Sequence, residues 1–149
     1  MGQSLSQLYV HLVFGTKGRK ALINNEIAPA LHSYMAGIFK NLDSPSIRIN
    51  SVPDHTHILF RLSKNHALAK IVENVKKDSS KWMKAHEITG FTWQIGYGAF
   101  SVSASKVEVV CTYIDNQKDH HSKKTFKEEI EEFVKEYDVI AYDPLYFWD

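Results

Sequence analysis

Between a Pro53-Asp54 turn and Phe60 the chain reads His55-Thr56-His57-Ile58-Leu59-Phe60, and this stretch restricts the fold more than any other. Two histidines one residue apart open an apolar run of strand length. Side chains alternate faces along a strand, so His55 and His57 share one face about 7 Å apart, while Thr56, Ile58 and Phe60 share the other. Two neutral imidazoles so placed can hold a divalent ion once a third group closes the site from elsewhere in the chain. Taken alone, such a pair is more often two ordinary polar residues than a metal site, and the rest of the chain has to decide.

Length and charge narrow the setting. A chain of 149 residues with 44% apolar and 23% charged residues has the size and composition of one globular domain, here 1–149, and excludes a disordered chain. No apolar run approaches the roughly 20 residues that span a bilayer, and Met1 to Ser6 lacks the pattern of a signal peptide, so the expectation is a soluble, cytoplasmic protein with no membrane partner. Cys111 is the one cysteine, which leaves nitrogen and oxygen as ligands for any metal. The charge is unevenly spread: residues 1–127 hold 17 Lys and Arg against 9 Asp and Glu, a net of +8, and residues 128–149 hold one against eight, a net of −7. A basic body suits a polyanion, and the acidic end reads as a solvated helix that points away from that body or shields it.

In chain order, Leu8, Val10, Leu12 and Phe14 alternate with Tyr9, His11 and Val13 as a first strand with one apolar face. His11 projects to the face of His55 and His57 if the two strands are neighbours. The basic loop Gly15 to Lys20 lacks the ending of a P-loop and is either a turn or a phosphate contact. Asn25 caps a helix whose positions Ile27, Leu31, Tyr34, Met35 and Ile38 recur at helical spacing. Ile47 and Ile49 mark a second strand, paired with the His55 strand as a hairpin. Leu68, Ile71, Val72, Val75, Trp82 and Met83 form the buried side of a second helix, with Lys76, Lys77 and Lys81 on other positions as solvated groups or DNA contacts. A fourth strand falls around Ala99 to Ser103. Ser105 and Glu108 have capping-box spacing and predict a third helix starting near Ser105, with Val107, Val110, Cys111 and Ile114 as its apolar stripe and Tyr113 and Gln117 one turn apart on another face. Thr125 with Glu128 predicts a further cap, opening an acidic helix that turns Ile130, Phe133, Val134 and Tyr137 inward. An aromatic tail follows, so that about 126–149 forms an acidic helix and tail that dock on the body or on a second subunit.

The order β-α-β-β-α-β predicts an α+β, ferredoxin-like sheet with helices on one face and the histidine face free, plus an additional C-terminal helix that carries Tyr113. Three segments, Val52 to Leu59, Trp93 to Ser103 and Tyr113 to His121, in this order and spacing, resemble the HUH nucleases and, among them, the single-tyrosine, insertion-sequence-200-like transposases that act on single-stranded DNA. Thr56 departs from the pattern, which usually has an apolar residue there. The resemblance implies that His55, His57 and Gln117 hold a divalent ion, Mg2+ or Mn2+, and that Tyr113 is the nucleophile of a metal-dependent single-strand endonuclease and strand transferase. It further implies a 5′-phosphotyrosine intermediate, recognition of hairpin DNA ends, and a homodimer in which Tyr113 serves its own subunit or the partner.

This chemistry suits these residue types. An ion on two imidazoles and an amide oxygen neutralises a phosphodiester and orients it as a Lewis acid. Phosphate contacts from lysines would combine with stacking of unpaired bases on Trp93 or Tyr97. His120 and His121 read as helix-end histidines or as DNA contacts, and Asp54 as an orienting partner of a histidine or as a turn residue. Three competing functions remain: a domesticated, repeat-associated HUH nuclease, a DNA-binding module that does not cleave, and a small hydrolase using the same metal without a covalent adduct.

Overall fold

The structure is a computed structural model that describes residues 2–148. Four strands, β1 (Leu8–Gly15), β2 (Ser46–Val52), β3 (His55–Leu62) and β4 (Gly98–Val102), form one antiparallel sheet in the order β2-β3-β1-β4. Helices α1 (Ala28–Asn41) and α2 (Leu68–Ala85) connect them in the ferredoxin-like order expected from the sequence. The register sets Gly15 opposite His55, Val13 opposite His57 and His11 opposite Leu59, so His11 does share the histidine face.

One core lies between the sheet and α1 and α2. Leu12, Phe14, Ile58 and Phe60 point from the central strands into it and meet Leu31, Met35, Phe39, Ile71, Val75 and Met83. Thr56 sits on this side, fully buried, and its hydroxyl donates to the Asn50 carbonyl at 3.2 Å, which removes the cost of burying it.

The other face is covered too, contrary to the free face expected. Helices α3 (Val107–Asp115), α4 (Gln117–His121) and α5 (Phe126–Glu136) fold back over it. Cys111 and Ile114 of α3 pack on Leu59 and Val102, while the Asn50 side-chain amide donates to the Ile114 carbonyl at 2.8 Å and Arg48 pairs with Asp115 at 3.2 Å. Phe126, Ile130 and Phe133 of α5 pack on Val13 and Phe100. The physical reason is the buried stripe of α5, which is apolar enough to need a partner surface that the histidine side of the sheet supplies. The acidic helix therefore shields the body, with its remaining carboxylates outward.

Two caps differ from expectation and one does not. Asn24, not Asn25, supplies the oxygen that accepts from the Glu26 and Ile27 amides ahead of α1. Ser105 does not cap α3; it lies in a 3-10 turn over Ala104–Lys106, its hydroxyl faces Ser103 Oγ at 3.3 Å, and α3 begins at Val107. Thr125 and Glu128 form the capping box of α5. The tail docks on the body through α6 (Pro144–Phe147): the buried Gln94 accepts from the Gly15 amide at 2.7 Å and donates to the Phe147 carbonyl at 2.9 Å, and Trp148 meets the edge of Phe126.

Candidate active site

β3 brings His55 and His57 to the middle of the covered face, where both are fully buried. The end of α4 adds His121 and the first turns of α5 add Glu129, which is 2% exposed. Glu129 Oε1 lies 3.0 Å from His57 Nε2, 3.3 Å from His55 Nε2 and 3.1 Å from His121 Nε2. One ligand atom from each of these four residues falls within 4.8 Å of all the others. Three imidazoles and a carboxylate converging on one point form a donor set that fits a divalent ion.

Tyr113 reaches this cluster from α3 of the same chain. Its hydroxyl donates to Glu129 Oε2, its ring is 5.8 Å from that of His57, and His120 stacks on it at 4.5 Å. Gln117 is fully buried directly behind: its amide donates to the Tyr113 carbonyl at 3.3 Å and its Oε1 is 2.9 Å from His121 Nε2. On the far side of the histidines, Asp54 Oδ1 is 2.7 Å from His55 Nδ1, and His11 Nε2 is 2.8 Å from His57 Nδ1. The ring of Phe126 lies flat on His55 at 3.9 Å.

The electrostatics follow from burial and from these partners. Burial lowers His57 to about 4, against the pull of Glu129, and burial with the neighbouring His57 lowers His11 to about 3. His55 is also buried, but hydrogen bonds to Asp54 and Glu129 outweigh that and raise it. Burial pushes the Glu129 carboxyl up, yet the hydrogen bonds from His121, His55 and His57 prevail and hold it below the usual carboxylate range. Burial and then the Glu129 charge raise the Tyr113 phenol above its ordinary value.

The other candidates lie elsewhere. Lys76, Lys77 and Lys81 are on α2, across the sheet from the histidines. Lys76 is not free to meet DNA: its ammonium donates to the carbonyls of Gln94, Ile95 and Gly96 at 2.6, 3.0 and 3.0 Å, rests over Phe14 and Tyr97, and is lowered to about 8 by burial. Trp93 cannot serve as a stacking platform, since it is 5% exposed, wedged against Phe14 and Phe91, and donates its indole N–H to Ser79. Tyr97 is half-buried, and His121 turns inward to the cluster. Sequence reasoning missed Glu129. Its signal was there: Phe126, Glu129, Ile130 and Phe133 fall at i, i+3, i+4 and i+7, which sets one acid in the inward stripe of α5.

A ferredoxin-like sheet with paired histidines facing a helix tyrosine defines the single-tyrosine HUH class. Within it, the chain belongs to the IS200-like transposase family, whose description, "Transposase IS200 like", matches residues 4–117. It is similar to the ISDra2 transposase TnpA of Deinococcus radiodurans, with 26% identity over 120 residues that cover 76% of this chain and 86% of that one. Two solved structures share the fold. A protein of Deinococcus radiodurans R1 assigned as a transposase superposes with a TM-score of 0.63 at 23% identity, covering 78% of this chain and 96% of its own. A REP-associated tyrosine transposase bound to a REP hairpin superposes with 0.59 at 12% identity, covering 81% and 74%. Among the described residues no helix is long and apolar enough to cross a membrane.

Proposed function

We propose that this transposase cleaves and rejoins single-stranded DNA beside hairpin ends, with Tyr113 as nucleophile and a divalent ion, Mg2+ or Mn2+, at His55 and His57. The observation that carries this reading is the placement of the Tyr113 hydroxyl on the carboxylate that also meets both histidines. The hairpin-bound relative supports the choice of DNA end.

In the reaction, the Tyr113 oxygen bonds to the scissile phosphorus as the bond from phosphorus to the 3′ oxygen breaks. The phenol loses its proton, the 3′ oxygen gains one, and the ester energy is kept in a 5′-phosphotyrosine for rejoining. When bound, the ion supplies charge neutralisation and Lewis-acid polarisation at the phosphate. Glu129 holds the phenol oxygen in place, His120 fixes the ring by stacking, and Asp54 and His11 orient the two histidines. Tyr113 and His121 stay partly exposed at the rim where α3, α4 and α5 meet, and this is the way in for a phosphate. The exposed Lys118, Lys123 and Lys127, on α4, the turn after it and α5, supply the phosphate contacts in this reading. Tyr113 acts on its own chain's site, and two copies associate through the exposed apolar tail residues Ile140, Leu145 and Tyr146.

The test is a denaturing gel of the protein with labelled single-stranded DNA from the flanks of its own gene, with and without Mn2+ or Mg2+. A metal-dependent covalent adduct that disappears in Tyr113→Phe is the expected result. Binding without cleavage or adduct under any of these conditions would overturn the reading. Light scattering reports the number of copies.

A further inference from the structure

We infer that the ion is held by four protein groups, His55, His57, His121 and Glu129, with Gln117 behind them, and that this set selects a transition ion such as Mn2+ over Mg2+. The inference rests on the metal reading above and deepens it.

The argument begins with protons. His121 Nδ1 is 3.0 Å from the Lys124 carbonyl, which can only accept, so Nδ1 carries the hydrogen and the neutral ring presents a lone pair at Nε2. His55 Nδ1 faces the Asp54 carboxylate, which likewise only accepts when ionised, and its Nε2 is left as a lone pair in the neutral ring. These two Nε2 atoms are 3.0 Å apart, and around them stand Glu129 Oε1 at 3.3 and 3.1 Å and Gln117 Oε1 at 2.9 Å from His121. In the neutral rings every one of these atoms is an acceptor, whereas without an ion a protonated imidazole donates to Glu129. Acceptors buried face to face repel unless a cation lies among them. Carboxylate or carbonyl oxygens on the remote ring nitrogens are also what orients imidazoles for a metal.

The spacing agrees. Donors about 2.1 Å from a four-coordinate ion stand about 3.4 Å from one another. Glu129 Oε1 stands 3.0 to 3.3 Å from the three histidine nitrogens and all four donor atoms lie within 4.8 Å of one another, so shifts of about 1 Å bring the set to that spacing. The chemistry then chooses the ion. Mg2+ prefers an octahedron of oxygens and keeps its water, whereas imidazole nitrogens favour first-row transition ions. Three nitrogens to one carboxylate oxygen in a buried pocket favour transition ions, Mn2+, Co2+ or Zn2+, over Mg2+, and Mn2+ and Co2+ can expand their coordination to admit a phosphate oxygen. Two of the four donors, His121 and Glu129, come after residue 117, beyond the stretch that matches the family.

Calorimetric titration of the full chain with Mn2+ and Mg2+ tests this, alongside the visible absorption of the Co2+ form as an independent report on coordination. Glu129→Gln keeps the side-chain volume, and circular dichroism checks that each variant is folded. The expected result is one Mn2+ per chain, bound at least about tenfold more tightly than Mg2+, with at least about tenfold weaker binding in Glu129→Gln and His121→Ala and an altered Co2+ spectrum. Gln117→Ala removes a partner of His121 and should weaken binding less than either of these, with a Co2+ spectrum close to that of the unaltered chain. If Gln117→Ala abolishes binding while Glu129→Gln and His121→Ala keep it, the four-group set is overturned and the metal reading stands. If the chain binds no Mn2+, or His57→Ala binds it unchanged, both fall.

Discussion

The Tyr113 hydroxyl donates to one oxygen of Glu129, and the other oxygen of the same carboxylate meets the histidines of β3. One buried charge thus ties the α3 tyrosine to the central strand. Removing a charge from such a cluster leaves its partners desolvated without compensation. Glu129→Ala is therefore expected to lower the stability of the metal-free protein by about 3–5 kcal/mol, read from urea unfolding, and Glu129→Gln by less.

Gly15 allows α5 to approach. A Cβ there would stand 2.5 Å from the Phe126 ring and 3.0 Å from the Asp54 carbonyl, with Gln94 close behind. Gly15→Ala should push α5 outward at a cost of about 1–3 kcal/mol. Amide exchange would show the loss of protection concentrated in 126–136, with α1 and α2 little changed.

Ser79 and Trp93 form a buried pair, the indole N–H donating to the hydroxyl at 2.9 Å and the hydroxyl to the Val75 carbonyl at 2.6 Å. Ser79→Ala leaves the indole donor without its partner, and a loss of about 1–3 kcal/mol in chemical denaturation is expected.

His32 bears on pH. Burial lowers it from 6.5 to about 4, and its Nε2 is 2.8 Å from Ser51 Oγ. Between those values the unfolded chain takes up a proton that the folded chain resists, so His32 makes stability fall as pH drops from 6.5 to 4 and adds no further slope below. His32→Gln can keep a hydrogen bond to Ser51 without titrating. Its melting temperature should fall less over that window than that of the unaltered chain. His11 and His57 are present in both, so the difference between the two curves isolates His32.

Much of this was legible locally. Alternation in β1, the His55 and His57 pair and the helical stripe of α2 depend on near neighbours in sequence, and so does the Thr125 cap. What the chain hides is set by distance. Trp93 lies among glycines and aromatics that suggest an exposed loop, and only Phe14, Phe91 and Ser79, arriving from three other segments, bury it. Ser105 has the spacing of a cap, but a 3-10 turn takes it before α3 begins. Glu129 looked like one more acid on an acidic helix, and its position in the inward stripe carries meaning only once the covered face of the sheet is known.

The covering of that face also sets an order of assembly. Glu129 is 72 residues from His57 and His121 is 66 from His55, far beyond the reach of local structure. A chain emerging from the ribosome can close its four-stranded sheet once Val102 is free, while its two central histidines still face water. The donor cluster comes into being only after α5 has been synthesised and has closed the long loop back to β3. Competence at this centre should therefore mature late in folding, after the sheet that supports it.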